Sequence, residues 1–173
     1  MAPKSRVIIF AIAFLVLSGI LAFASTIQLS SADAPSLTQS AKSIDESVLG
    51  IFKNNVQIAL LEFIPGFGPG FGAYSCYDTG LVLAALAQAN QSSTGLTGLE
   101  LFLALLLTPI YWIEFTCYSV AVEESIALIV SIRRKDFRTT EWKWLVGSIF
   151  FVVATLFVSA RLEVQLINLA QMI

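Results

Sequence analysis

The run Val7 to Leu29, VIIFAIAFLVLSGILAFASTIQL, contains no charged side chain. At about 1.5 Å per helical residue it is long enough to cross the roughly 30 Å hydrocarbon core of a bilayer. A helix that is apolar on every side has no face to offer water, so this run restricts the fold before any other residue is considered. Further apolar stretches follow at short intervals, and of the 173 residues 57% are hydrophobic and only 13% charged. The chain reads as an all-α, polytopic membrane protein. A single helical-bundle domain over residues 1–173 uses most of that length, leaving none for a sizeable soluble domain.

Lys4 and Arg6 precede the first run, and Ala22-Phe23-Ala24 has the small-x-small form of a signal-peptide cleavage site. The apolar stretch is longer than a usual signal core, and we expect an uncleaved transmembrane helix over about 7–29. Residues 30–47 are polar and mildly acidic, an external segment able to form an interfacial helix. Further helices are expected over about 48–64, 70–89, 99–132 and 144–165. A polar loop over 88–98 carries Asn90-Gln91-Ser92, a glycosylation triplet. The region 99–132 exceeds one straight crossing and should break near Pro109.

The basic segment with Arg133, Arg134, Lys135, Arg138 and Lys143 belongs, with Lys4 and Arg6, on the cytoplasmic side. About five transmembrane helices, N-terminus inside and C-terminus outside, satisfy that bias. Tyr111 and Trp112 would mark the outer interface, Trp142 and Trp144 the inner one, and Arg161 would snorkel at the outer end. The expected location is the cell membrane, as a multi-pass protein.

Between two apolar runs lies FIPGFGPGFGAYSCYDTG, residues 63–80. Pro65 ends one helix and Pro69 starts the next, while glycine supplies the positive φ a tight reversal needs. Gly66, Gly68, Gly70 and Gly72 also form two small-xxx-small pairs that allow close helix approach. An inner hairpin turn is the structural reading, and a broken-helix site for an ion or anionic group is the functional one. The G-x-G-x-x-A pattern from Gly68 to Ala73 has no βαβ surroundings and implies no dinucleotide site. Tyr77-Asp78 lacks the second half of an intramembrane aspartyl protease motif.

The chemistry available is narrow. With no histidine, a net charge of -2 and no complete catalytic set, nothing points to an enzyme, a metal centre, a cofactor or a nucleic-acid partner. Cys76 and Cys117 fall within helices and read as buried free thiols. At 100° per residue, Asn55, Ala59, Glu62 and Gly66 share one narrow face that should look into the bundle, next to Asn54. Asp78 lies one helical turn after Tyr74, within reach of its phenol. Glu114, Tyr118, Ala121 and Ser125 share a face, with Glu124 on its flank and Glu123 roughly opposite. Glu123 and Glu124 would sit about 14 Å from Arg133, near mid-depth.

Carboxyl groups there must be protonated, paired or facing water, and no buried Arg or Lys is evident as a partner except Lys53 near the outer end of the second helix. Two readings remain open: protonated carboxyls bonded to Asn55, Tyr74 or Tyr77, and a proton or cation pathway through Glu62, Asp78 and Glu123 or Glu124.

The order Asn54-Asn55, Ile58-Ala59, Phe63, Gly66, Gly70 and Asp78-Thr79-Gly80 resembles the central hairpin of stage II sporulation protein M-like (SpoIIM-like) membrane proteins. Pro109 and Glu114 are similar in spacing to that family's Pro-His-Gly-x-x-Glu motif, although Ile110-Tyr111 replaces His-Gly and Asp78-Thr79-Gly80 replaces Asn-Gly. The resemblance covers roughly residues 52–125. It implies a non-enzymatic integral membrane scaffold or accessory subunit whose partners are membrane lipids and other membrane proteins or itself. The alternative expectation is a small transporter or channel using the intramembrane carboxylates.

Overall fold

The computed structural model of the protein describes residues 3–30, 32–43, 45–134 and 139–171. Among these residues the regular structure is entirely helical: α1 (Pro3–Ser25), α2 (Asp33–Lys42), α3 (Val48–Glu62), α4 (Gly68–Thr94), α5 (Gly98–Leu106), α6 (Pro109–Arg133) and α7 (Thr139–Gln171).

Local chemistry sets most of the helix ends. Ser47 caps α3 by accepting from the Gly50 N–H at 3.1 Å. Thr97 and Glu100 form a reciprocal capping box at the start of α5, in which the Thr97 N–H donates to Glu100 at 2.7 Å and holds that carboxyl below its ordinary range. Thr108 caps α6, and Pro109 occupies its first turn, where the missing N–H costs nothing. The break at Pro109 is therefore a restart between α5 and α6. Gly95, at φ +67°, ends α4 in the left-handed conformation, and the expected polar loop shrinks to residues 95–97. α4 thus extends past residue 89 to Thr94, and α7 begins at Thr139 rather than near 144. Lys135, Asp136 and Arg138 of the expected basic segment lie outside the described residues.

Among the described residues three helices, not five, are long and apolar enough to cross a membrane: α1, α6, and residues 141–169 within α7. α3 has 15 residues, about 22 Å, which is short of the hydrocarbon thickness. α4 is longer at 27 residues, but Asp78, Gln88, Asn90, Gln91 and its glycines dilute its apolar character.

α6 is the centre of the bundle. In its apolar span 67% of residues are buried, against 22% in α1 and in α7. Its neighbours' directions follow from paired residues. Arg6 lies by Glu123 and Ser18 by Tyr111, so α1 runs antiparallel to α6. Ser148 lies by Glu124 and Ser159 by Glu114, so α7 is antiparallel too. α3 runs parallel to α6, with Asn55 at Glu114 and Ile64 at Ser125. The reversal after α3, the start of α1 and the end of α6 consequently gather at one end. That reversal stands level with Ser125, roughly 12 Å short of Arg133 at 1.5 Å per residue.

An aromatic cluster fills the middle. Tyr111 stacks on Phe115 at 4.3 Å, meets Phe14 and Phe102 edge-on, and donates its hydroxyl to Ser18 Oγ at 2.6 Å. It is 2% exposed, a core residue rather than the interfacial marker expected from its Tyr-Trp pairing. Trp112 keeps the exposed position, its indole N–H donating to the Leu106 carbonyl at 2.9 Å. Cys76 and Cys117 are buried and free.

Two glycines bring α1 against its neighbours. A Cβ on Gly80 would lie 2.5 Å from Ala24 Cβ and from the Leu21 carbonyl, and one on Gly98 would lie 2.1 Å from the Ser25 carbonyl. A methyl group at either position must push backbone aside. We expect Gly80→Ala to separate α1 from α4 and to lower stability by about 1–3 kcal/mol, read as a fall in the thermal midpoint in mild detergent. Gly19→Ala, with no atom within 4 Å of the added carbon, should leave the midpoint unchanged or raise it slightly.

Candidate functional site

The buried carboxyl groups fall into two separate sets. The first closes around Arg6, near the start of α1. Its Nη1 donates to Glu124 Oε1 at 2.7 Å and to both oxygens of Glu123 at 3.1 and 3.3 Å, while Nη2 donates to Glu141 Oε2 at 2.5 Å. Ser148 of α7 adds a bond to Glu124 Oε1 at 2.9 Å, and the guanidinium lies over the Trp144 ring at 5.3 Å. All four charged side chains are at most 8% exposed. At such burial the Coulomb attraction is weakly screened, but one guanidinium divided among carboxyls on two helices is also costly to desolvate. The arrangement fixes α1, α6 and α7 together.

Sequence reasoning treated Arg6 only as a topology marker and found no basic partner inside the helices except Lys53, which is exposed. The pairing joins residues 117, 118 and 135 positions apart, so no local spacing rule reports it. The available signal was an arginine within the first turns of an otherwise apolar helix, set against acids with no counter-charge elsewhere. Glu123 and Glu124, expected on different sides of α6, are both inward because α6 is surrounded.

The second set lines a cavity of about 340 Å³ walled by α3, α4 and α6, where Glu62, Asp78 and Glu114 meet Asn54, Asn55 and Tyr118. Asn55 Nδ2 donates to Glu114 Oε1 at 2.6 Å, and the Ser159 hydroxyl donates to the same oxygen at 3.2 Å. Asn54 Nδ2 reaches Asn55 Oδ1 at 3.3 Å. Asn55, Ala59 and Glu62 are buried, as their shared face requires, whereas Gly66, expected on the same face, lies past the end of α3 in the turn and is exposed. Glu62 differs from its neighbours: it is 0% exposed and neither carboxyl oxygen has a hydrogen-bond partner. Asp78, by contrast, is exposed. Among the described residues no hydrogen bond joins it to Tyr74, whose ring packs beside Phe71 instead.

The glycine-proline stretch divides its labour. Gly66 takes φ +83° and makes the reversal, with Pro65 before it in the turn. Pro69 lies in the first turn of α4. Gly68 and Gly72 are the packing pair: a Cβ on Gly68 would lie 1.7 Å from the Glu62 carbonyl, and one on Gly72 would lie 3.1 Å from Glu62 Oε1 and 3.2 Å from Val122. A Cβ added to Gly66 or Gly70 would meet no neighbouring atom within 4 Å. Ser125 donates at 2.8 Å to the Ile64 carbonyl, which also accepts from the Phe67 and Gly68 N–H groups, so the reversal is tied to α6.

The proposed pathway through Glu62, Asp78 and Glu123 or Glu124 is thereby divided, because Glu123 and Glu124 are held by Arg6 while Glu62 and Asp78 line the cavity with Glu114. Among the described residues no group of His, Cys, Asp and Glu could hold a metal ion by three or more such ligands. The chain matches no protein-family model, no curated protein and no solved structure.

Removing Arg6 leaves two carboxyls of α6 buried without their guanidinium. Arg6→Met should therefore cost about 3–5 kcal/mol, seen as reduced yield and a lowered thermal midpoint. Adding Glu123→Gln and Glu124→Gln to that variant should recover most of the loss. If the triple variant is no more stable than Arg6→Met, the ion pairs are not what joins α1 to α6.

Proposed function

We propose that the protein is a multi-pass, non-enzymatic protein of the cell membrane, a scaffold or accessory subunit that docks other membrane proteins through the outer faces of α1 and α7. The single observation carrying this reading is the stripe Ile8, Ile12, Leu15, Gly19 and Phe23 along α1. Its large members are 55–71% exposed, and Gly19 has no atom within 4 Å of where its Cβ would stand. Helix association in lipid uses close backbone approach at small residues rather than burial of apolar area. An open glycine within an apolar stripe is a seat for a partner helix. The resemblance of residues 52–125 to SpoIIM-like proteins supports the same class.

The topology follows from charge. Lys4, Arg133 and Arg134 stand at one end of the bundle, which the positive-inside bias assigns to the cytoplasm. α1, α6 and α7 then cross fully, while α3 and α4 enter from the outer side as a hairpin and return to it, with the N-terminus inside and the C-terminus outside. A backbone reversal at that depth is tolerated only where its polar groups are satisfied by protein, as Ser125 does for Ile64.

A small transporter or channel is the second reading, favoured by the unpartnered Glu62 beside a cavity. Affinity purification in mild detergent separates the two. We expect a stoichiometric membrane-protein complex whose recovery falls at least about tenfold on Gly19→Leu, corresponding to roughly 1.4 kcal/mol of association, with the thermal midpoint of the purified variant unchanged. A chain that purifies alone, and whose liposomes carry an ion flux abolished by Glu62→Gln or Asp78→Asn, would establish transport instead.

A further inference from the structure

The cavity wall places a carboxyl group with no counter-charge where one is required. Glu62 ends α3, is fully buried, and offers two oxygens that nothing in the protein satisfies. A buried carboxyl in this condition must either hold a proton or be neutralised by a partner charge. The C-terminal end of α3 and the N-terminal end of α4 meet here, so their dipoles offset one another and neither supplies the missing charge. No described lysine or arginine lines the cavity, and Arg6 is engaged by Glu123, Glu124 and Glu141.

The other lining groups are suited to a hard cation. Around Glu62 are the Glu114 carboxyl, the Asn55 amide and the hydroxyls of Ser75, Thr79 and Tyr118, all oxygen ligands of the kind that alkali and alkaline-earth ions accept. Charge count selects between those two classes. A divalent ion is commonly held by several carboxylates at once; of the three that line this cavity, Glu114 is already bonded by Asn55 and Ser159, Asp78 is exposed at the mouth, and the described residues form no group of three able to hold a metal together, which leaves Glu62. One unpaired carboxylate balances a single positive charge. The volume of about 340 Å³ is far larger than a bare ion and leaves room for its water shell, each water taking about 30 Å³. Exposed Asp78 and Ser40 line the same space as the enclosed Glu62, giving an entry from the surface to the inner carboxyl.

We propose that the cavity between α3, α4 and α6 is a binding site for one monovalent metal cation, sodium, with Glu62 as its charge partner. Binding stands apart from the scaffold reading: a structural sodium serves a scaffold as well as a transporter.

The test uses the purified full-length chain in detergent, with sodium chloride compared against potassium chloride and N-methyl-D-glucamine chloride at equal ionic strength. Sodium should raise the thermal midpoint by about 3 °C or more over the glucamine salt, and radioactive sodium should bind at one ion per chain. Glu62→Gln removes a buried charge and should fold at least as stably as the parent, while losing both the sodium shift and the bound ion. Glu46→Gln, at an exposed acid outside the cavity, should retain the shift. No response of the parent protein to either metal salt would overturn the proposal and mark Glu62 as a neutral acid. A sodium response that survives Glu62→Gln, or stabilisation confined to the organic cation, would overturn it equally.

Discussion

Arg6 lies in the first turns of α1, an otherwise apolar helix, and its guanidinium serves carboxyls on both α6 and α7. Elsewhere those three helices meet chiefly through weakly directional contacts, aromatic stacking around Tyr111 and Val152 and Leu156 in the core, with two neutral side-chain hydrogen bonds, Tyr111 to Ser18 and Ser159 to Glu114. In lipid such contacts carry little hydrophobic driving force, because hydrocarbon tails solvate leucine as well as another leucine does. The charge cluster is what makes one register better than its neighbours. A slip of α1 by one turn against α6 would move Arg6 by about 5.4 Å and strand the acids it satisfies. Buried ionic groups do not always stabilise a fold relative to well-packed apolar ones, but they can specify it.

With that register set, the smaller features find their places. Gly80 and Gly98 admit the backbone of α1 near its C-terminal end, and Ser18 receives the Tyr111 hydroxyl between the two regions. On the opposite flank of α6, Gly68 and Gly72 let the start of α4 pass close to Glu62, Ser125 and Val122. These contacts keep the hairpin of α3 and α4 against α6 although α3 is too short to cross on its own. Glu62 is enclosed at its tip because the chain reverses directly after it, through residues that carry no charge until Asp78.

Features governed by near neighbours were legible in the sequence. The restart at Pro109, the positive φ at Gly66 and the inward face of Asn55, Ala59 and Glu62 all follow from backbone sterics or helical periodicity. Local reasoning failed where tertiary context decided. The polar residues Gln88, Asn90 and Gln91 suggested a loop, yet α4 continues to the left-handed glycine at Gly95, the true stop. Tyr111 beside Trp112 suggested an interface, but a surrounded helix turns one ring inward and leaves the other outside. The pairing of Arg6 was illegible for a third reason, because contact across more than a hundred residues has no sequence period. Apolar content alone suggests five crossings, but among the described residues three helices are long and apolar enough, and α3, at 15 residues, falls short.

In the purified chain, free of any partner, hydrocarbon must cover the outer faces of α1 and α7, where Leu15 is 71% and Phe150 77% exposed. Nitroxide labels at Leu15 and Phe150, with one at exposed Ser36 on α2 for reference, report this directly in proteoliposomes through collisions with oxygen, which concentrates in lipid, and with a nickel chelate, which stays in water. Oxygen should dominate at Leu15 and Phe150 and the chelate at Ser36. A chelate that reaches Leu15 and Phe150 as readily as Ser36 would place those faces in water and contradict the account.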